Sequence, residues 1–151
     1  MQLEIIAREK RTPADNQAIR ELSQAVYPPD APRDGAEKIT WSSSVWSVLV
    51  RDDDNKLVSH IGIITRDVKC DDQIFFIGGI GGVQTHPDAR GQGYAGHGLH
   101  HAAQFLRDEL KVDFSLLVCR DALIPYYGRF GWQLFEGDML EDQPSGKVKF
   151  T

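Results

Sequence analysis

Residues 80–96 read Ile-Gly-Gly-Val-Gln-Thr-His-Pro-Asp-Ala-Arg-Gly-Gln-Gly-Tyr-Ala-Gly, and no other stretch constrains the fold of this chain as strongly. Pro87 removes a backbone donor and holds His86 in extended geometry, so a strand ends there. Gly91 and Gly93 let the backbone turn tightly, and a helical pattern follows. The product is a strand, a bare-backbone loop and a helix N-terminus. The first amides of a helix have no partners within it and carry the positive end of its dipole. Gln92, Gly93, Tyr94, Ala95 and Gly96 can therefore offer N–H groups to a pyrophosphate, with the Arg90 guanidinium at the mouth. The plain alternative is a glycine-rich turn and nothing more.

The two common phosphate loops do not fit. Gly-x-x-x-x-Gly-Lys-Ser/Thr is absent from the sequence. Gly91-x-Gly93-x-x-Gly96 spells the dinucleotide fingerprint, but that fingerprint needs an acidic residue closing the next strand, and residues 114–119 end in Cys119 with Arg120 following. At 151 residues the chain is expected to form one domain, 1–151, burying about two thirds of its unfolded surface. Its 17 basic and 22 acidic residues give a formal charge of -5, which argues against a general nucleic-acid binder and suits a cationic substrate. Cys70 and Cys119 match neither a disulfide framework nor a Cys-x-x-Cys metal site. With no apolar run suited to a signal peptide or membrane span, a reduced, cytoplasmic protein is expected.

Leu3, Ile5 and Ala7 mark a first strand. Thr12 then fits a helix N-cap, with Pro13 at the first helical position, Asp15 three residues past the cap, and Ala18, Ile19, Leu22 and Val26 as the apolar stripe. Residues 30–44 show no clear period beyond a short helix around 36–41. Runs at 45–51, 57–66 and 74–85, separated by Asp/Asn turns, predict a three-stranded antiparallel meander. The acidic triplet Asp52-Asp53-Asp54 lacks the glycine and distant glutamate of an EF-hand and reads as a solvated turn. Gly78, Gly79, Gly81 and Gly82 inside the third run signal a bulge or a close approach by a ligand. From Ala95, a helix with Leu99, Ala102, Leu106 and Leu110 on one face leads to a buried strand at 112–118, parallel to the third run. A short helix at 122–129 follows, then an antiparallel pair at 132–135 and 147–150.

Arg90, Gly93 and Ala95 spell Arg-x-x-Gly-x-Ala, and Tyr126-Tyr127 precedes Gly131-Trp132. In this order the two motifs resemble the GNAT superfamily of N-acetyltransferases across nearly the whole chain. The resemblance implies an α/β fold whose mixed, mostly antiparallel sheet is flanked by helices and splayed between strands 4 and 5, with acetyl-CoA lying in the splay. It places Arg90, Gly91, Gln92, Gly93, Tyr94, Ala95 and Gly96 on the pyrophosphate, the Val83 and Thr85 amides on the thioester and pantetheine, and Tyr127 as the general acid for the departing thiolate. Tyr126 reads as packing.

Val58-Ser59-His60, residues 82–92 and residues 127–132 are similar to the aminoglycoside 2'-N-acetyltransferases. That subgroup carries an acidic residue where this chain has Gly81, so His60, His86, Asp121 and Glu141 stand as candidates for the missing base. The implied reaction is acetyl transfer to the primary amine of a small cationic acceptor, without nucleic acid or membrane; a homodimer is common in such a family. His60-Ile61-Gly62 with Arg66 also resembles nodulation acyltransferases, which use longer acyl chains, and a CoA-binding module without turnover is the non-enzymatic alternative. His97, His100 and His101 read as a solvated helix face rather than a metal site, and Cys119 as apolar filling rather than a nucleophile. Trp41 and Trp46 fit an acceptor pocket and core packing equally well.

Overall fold

The computed structural model describes residues 1–30, 42–143 and 146–150, with side chains in 1–30 and 42–139. Along the chain run β1 (Gln2–Ala7), α1 (Pro13–Val26), β2 (Trp46–Arg51), β3 (Leu57–Cys70), β4 (Gln73–Thr85), α2 (Tyr94–Gln104), β5 (Phe114–Leu117), α3 (Ile124–Gly128), β6 (Met139–Gln143) and β7 (Gly146–Phe150). They group into two compact units, Met1–Pro29 with Ser43–Val118, and Asp30–Ser42 with Cys119–Thr151. The helix expected around 36–41 lies outside the described residues.

The first unit is built on a five-stranded sheet in the order β1-β2-β3-β4-β5, antiparallel throughout except for the parallel β4–β5 pair. Its two hairpins come from turn chemistry. Asp52 Oδ1 accepts from the amides of Asp54 at 3.0 Å and Lys56 at 2.9 Å, while Asn55 takes a positive φ of 61°. At the β3–β4 turn Asp71 does the same, with φ 53°.

The N-terminus of α1 is fixed reciprocally. Thr12 Oγ1 accepts from the Asp15 amide at 3.1 Å and Asp15 Oδ2 from the Thr12 amide at 2.9 Å. Asp15 Oδ1 also takes Arg51 Nη2 at 2.7 Å, which ties the helix to β2. Hydrogen bonds from Arg51 and Thr12 hold the Asp15 carboxyl below the ordinary range for its type. The stripe Ala18, Ile19, Leu22 and Val26 packs with Leu49 and Leu57. Alternation along β2 sends Val48 and Val50 to the other face, where α2 lies. There Leu99, Ala102 and Leu106 are buried, as are Ile61 and Ile63 of β3. Each such side chain stabilises the fold by roughly 1.5–3 kcal/mol. Among the described residues no helix is long and apolar enough to cross a membrane.

Three expectations need correction. The helix after the glycine loop is regular only to Gln104 and continues as a π-helical turn, Phe105–Glu109, in which Leu106 keeps its place in the core. The strand expected at 112–118 shrinks to Phe114–Leu117 and is half-exposed rather than buried, with Phe114 and Val118 both open to solvent. In the second unit the partner of β7 is Met139–Gln143, not residues 132–135. Leu134 and Phe135 are exposed there, and the shorter connection closes at lower entropic cost than one spanning 136–146.

Candidate active site

The glycine loop begins where β4 ends. The His86 amide donates to Val58 O at 2.9 Å, pinning the last residue to β3, and Pro87–Ala89 makes one tight turn. Gly91 and Gly93 then take left-handed φ values of 77° and 86°, which L side chains rarely adopt. Arg90 Nε donates back to Thr85 O at 3.3 Å, and Gln92 Nε2 to Asp88 O at 3.4 Å, so the loop is braced by its own side chains. Gly93 caps α2 without a side-chain bond, and the His97 amide reaches back to Gly93 O at 3.0 Å. The amides of Tyr94, Ala95 and Gly96 precede that first helical bond and have no carbonyl behind them within the helix. A β-carbon on Gly91 would meet nothing within 4 Å, so the loop faces open space.

Upstream, β4 carries the bulge its glycines signalled. From Gly62↔Gly81 to His60↔Gln84, β3 advances by two residues (62 to 60) and β4 by three (81 to 84). The extra residue falls at Gly82–Val83, and Gly82 sits at φ +57°. Because the His86 amide bonds Val58 O, alternation turns the Gln84 amide toward β3 as well and the Thr85 amide away from it, while Val83 sits in the bulge itself. On that other side, pairing with β5 has already stopped at Ile80↔Leu117. Thr85 thus turns a backbone donor outward, and Val83 lies in the bulge, where the two parallel strands no longer pair.

Tyr127 belongs to the second unit. It lies on α3, nearly buried, with Tyr126 edge-on at 5.2 Å between ring centroids. Tyr126 also meets Phe130 at 5.2 Å and carries the Arg129 guanidinium 5.1 Å above its ring. Burial pushes the Tyr126 phenol up, opposed by Arg129. Tyr126 is therefore held as a packing residue, as its sequence context implied. Gly131, at φ 87°, turns the chain after the helix so that the Trp132 amide reaches Tyr127 O at 3.4 Å.

The sequence profile of the acetyltransferase (GNAT) domain matches residues 9–135, which run through both units. The chain belongs to the GNAT acetyltransferase family. Solved structures agree on the fold. A GNAT family acetyltransferase from Brucella melitensis, in complex with acetyl-CoA, is 22% identical over 99% of this chain and 96% of that one, at a TM-score of 0.64. An acyl-CoA N-acyltransferase from Pseudomonas aeruginosa is 18% identical over 98% and 96%, at 0.65. An aminoglycoside acetyltransferase from an uncultured soil metagenomic sample, in complex with trehalose, is 12% identical over 90% of each chain, at 0.65. No curated protein matches the sequence.

Within this GNAT chain the candidate bases separate. His60 is buried on β3, its Nε2 3.0 Å from Ser47 Oγ, and burial together with the Arg11 charge pushes its pKa down to about 4 despite the Gly82 backbone. A ring so hard to protonate has little driving force to accept a proton at neutral pH. His86 Nδ1 accepts from the Asp88 amide at 3.2 Å and lies 3.8 Å from the Asp88 carboxylate, at the start of the loop. Asp121 is exposed in the second unit, and the Glu141 side chain lies outside the described residues. Cys119 has its thiol pushed up by burial and by Asp121, the opposite of what a nucleophile needs. Trp46 stacks edge-on with Phe105 at 5.6 Å, a packing role, while Trp41 lies outside the described residues. The three helix histidines are exposed. Sequence reasoning missed Arg11 and Ser47 as neighbours of His60. The only signal was a serine on an otherwise apolar strand.

Proposed function

We propose that this chain is an acyl-CoA N-acetyltransferase that moves an acetyl group from acetyl-CoA to the primary amine of a small cationic acceptor, by direct attack in a ternary complex. One observation carries the reading: the strand whose bulge at Gly82–Val83 and outward Thr85 amide lie beyond the last β5 pair runs straight into a loop of open amides heading α2. The loop fits a diphosphate. Arg90, Gly91, Gln92, Gly93, Tyr94, Ala95 and Gly96 hold it through backbone donors, the helix dipole and one guanidinium. Thr85 holds the pantetheine amide.

The Val83 N–H donates to the thioester oxygen as negative charge builds there, a preorganised donor of the kind that contributes about 3 kcal/mol to acyl transfer. Nitrogen of the neutral amine bonds to the carbonyl carbon and the carbon–sulfur bond breaks. Tyr127 O–H gives its proton to the departing thiolate, and the proton lost by the amine leaves through water. Reference pKa values of about 10 for the phenol and about 8.5 for a thiol require the proton to move as the bond breaks. The negative charge of the chain and the resemblance to aminoglycoside acetyltransferases support a cationic acceptor.

Thermal unfolding with increasing acetyl-CoA tests this, with Gly93→Glu alongside to put a carboxylate and a strained residue in the loop. Saturation at about a hundred times the dissociation constant should stabilise wild type by about 2.7 kcal/mol, several degrees of Tm, and leave the variant unmoved. An amine screen then follows, with Tyr127→Phe as the slow control. No shift of wild type at millimolar acetyl-CoA sinks the proposal; a shift without turnover on any amine leaves a CoA-binding module instead.

A further inference from the structure

On β3 and β4, Gly81 stands opposite Gly62 and Gln84 opposite His60, so these four share one face of the sheet. His60 in turn stands opposite Leu49, which packs with Leu22, so this is the face that α1 covers. Just past the last β5 pair, at Ile80, β4 is bare. Gly81 and Gly82 are exposed, and among the described residues a β-carbon on either would meet nothing within 4 Å. Over Gly62 the space is taken, because a β-carbon there would run into Ser44. What remains is a floor of backbone with room above it, the kind of place where glycine in a strand lets a ligand come close.

Gln84 is half-buried at the end of that floor and is held at two points. Ser59, fully buried on β3, donates from Oγ to Gln84 O at 2.8 Å. Its one proton is used there, so the Thr85 hydroxyl donates to Ser59 Oγ, 3.1 Å away. From α1, Ser23 Oγ donates to Gln84 Oε1 at 3.0 Å, so the side chain spans from strand to helix. Gln84 Nε2 has no partner among the described residues. It is not one of the buried unpartnered atoms either, so its N–H groups reach solvent.

In the acyl-transfer reading the acetyl carbonyl lies against Val83, the neighbour of Gln84, and the diphosphate lies at the N-terminus of α2. That helix packs on the opposite face, over Val50 and Ile61, so the acceptor reaches the thioester from the face of Gly81 and Gln84. We infer that Gln84 selects the acceptor, its Nε2 donating to an ether, hydroxyl or carbonyl oxygen carried near the attacking nitrogen, with Ser23 as the positioning residue that fixes the amide. The substrate class is an oxygen-bearing primary amine rather than a plain alkylamine. An amide N–H is drawn to an oxygen lone pair and not to an ammonium, so the contact orients the acceptor without acting as a base. The inference rests on the acyl-transfer reading and adds the substrate class to it.

Matched amines test it. Methoxyethylamine has an oxygen that can only accept; butylamine has a methylene in its place. Tetrahydrofurfurylamine and cyclopentylmethylamine form a ring pair of the same kind. Initial rates with acetyl-CoA give kcat/KM for each, and dividing a variant's ether-to-methylene ratio by that of wild type cancels the amines' own reactivity. In Gln84→Met, which keeps the length without a donor, the ratio should fall about tenfold, through the KM of the ether more than through kcat. Gln84→Glu, which puts an acceptor in place of the donor, should lower it at least as far. Ser23→Ala should lower it about threefold. A purely structural role would slow both members of a pair alike and leave the ratio unmoved. Acetyl-CoA raising the Tm of each variant shows that it folds and binds the cofactor; if Gln84→Met does not fold, Gln84→Glu and Ser23→Ala decide. An unchanged ratio in the folded variants overturns the inference and leaves acyl transfer standing. A wild type that acetylates neither these amines nor any other brings down the acyl-transfer reading and the inference with it.

Discussion

Burial decides what His60 can do. A histidine in water gains a proton near pH 6.5, but in the interior of the sheet, beside the Arg11 charge, the ring stays neutral down to a pKa of about 4. The unfolded chain therefore binds the proton more readily than the folded one. Stability contributed by this group is complete above about pH 6.5 and is lost as pH falls toward 4, by about 3 kcal/mol across the window. Asp15, whose carboxyl is held low, adds its own loss only once pH falls below the ordinary carboxylate range. Urea unfolding between about pH 7 and pH 5 isolates the histidine. Wild type should lose stability through that range, and His60→Gln should give a flatter line. Equal slopes would mean that the ring is not desolvated. The sequence could name His60 but not its state, because Arg11, Ser47 and Gly82 reach it from three separate parts of the chain. The bulge at Gly82–Val83 was legible for the opposite reason, since consecutive glycines in a strand have few other uses.

Elements whose cause is local were legible. The capping box of α1, the acidic turns on either side of β3, the bulge in β4 and the glycine entry to α2 are each written within a few residues. The second strand pair was not, because Trp132 to Phe135 has the apolar look of a strand and only tertiary context leaves Leu134 and Phe135 exposed. How closely α2 approaches the sheet was also hidden. Gly98 reads as a flaw in a helix, yet a β-carbon there would lie 2.8 Å from Ile61 Cδ1 and 3.3 Å from Val50 Cγ2. Ile61 and Val50 are fully buried and cannot give way cheaply. Gly98→Ala gains about 1 kcal/mol of helix propensity and loses about 1–3 kcal/mol to overpacking, so a net loss is expected. Ile61→Val removes the crowding methyl, and in the double variant the two costs should partly cancel. Denaturant midpoints of the four proteins check this; strict additivity would show that the helix does not touch the sheet at Gly98.

At the scale of the whole molecule, charge works against one of the two proposed substrates and for the other. A chain of net charge -5 repels a diphosphate from a distance, so acetyl-CoA must be won by short-range contacts, in the proposed function those of the loop amides and Arg90. A cationic amine is drawn in by the same field. Long-range attraction is screened once the Debye length drops from about 30 Å at 0.01 M salt to about 3 Å at 1 M, whereas hydrogen bonds in the loop are not. Raising salt across that range should lower kcat/KM for a cationic acceptor several-fold, while a neutral amine of similar size is little affected. The acetyl-CoA dissociation constant should hold steady or fall, as salt removes the repulsion. Initial rates with two acceptors, one charged and one neutral, at low and high salt measure it. Identical salt dependence for both would show that the acidic surface does not select the acceptor, and the preference for a cation would then have to reside in the acceptor pocket itself.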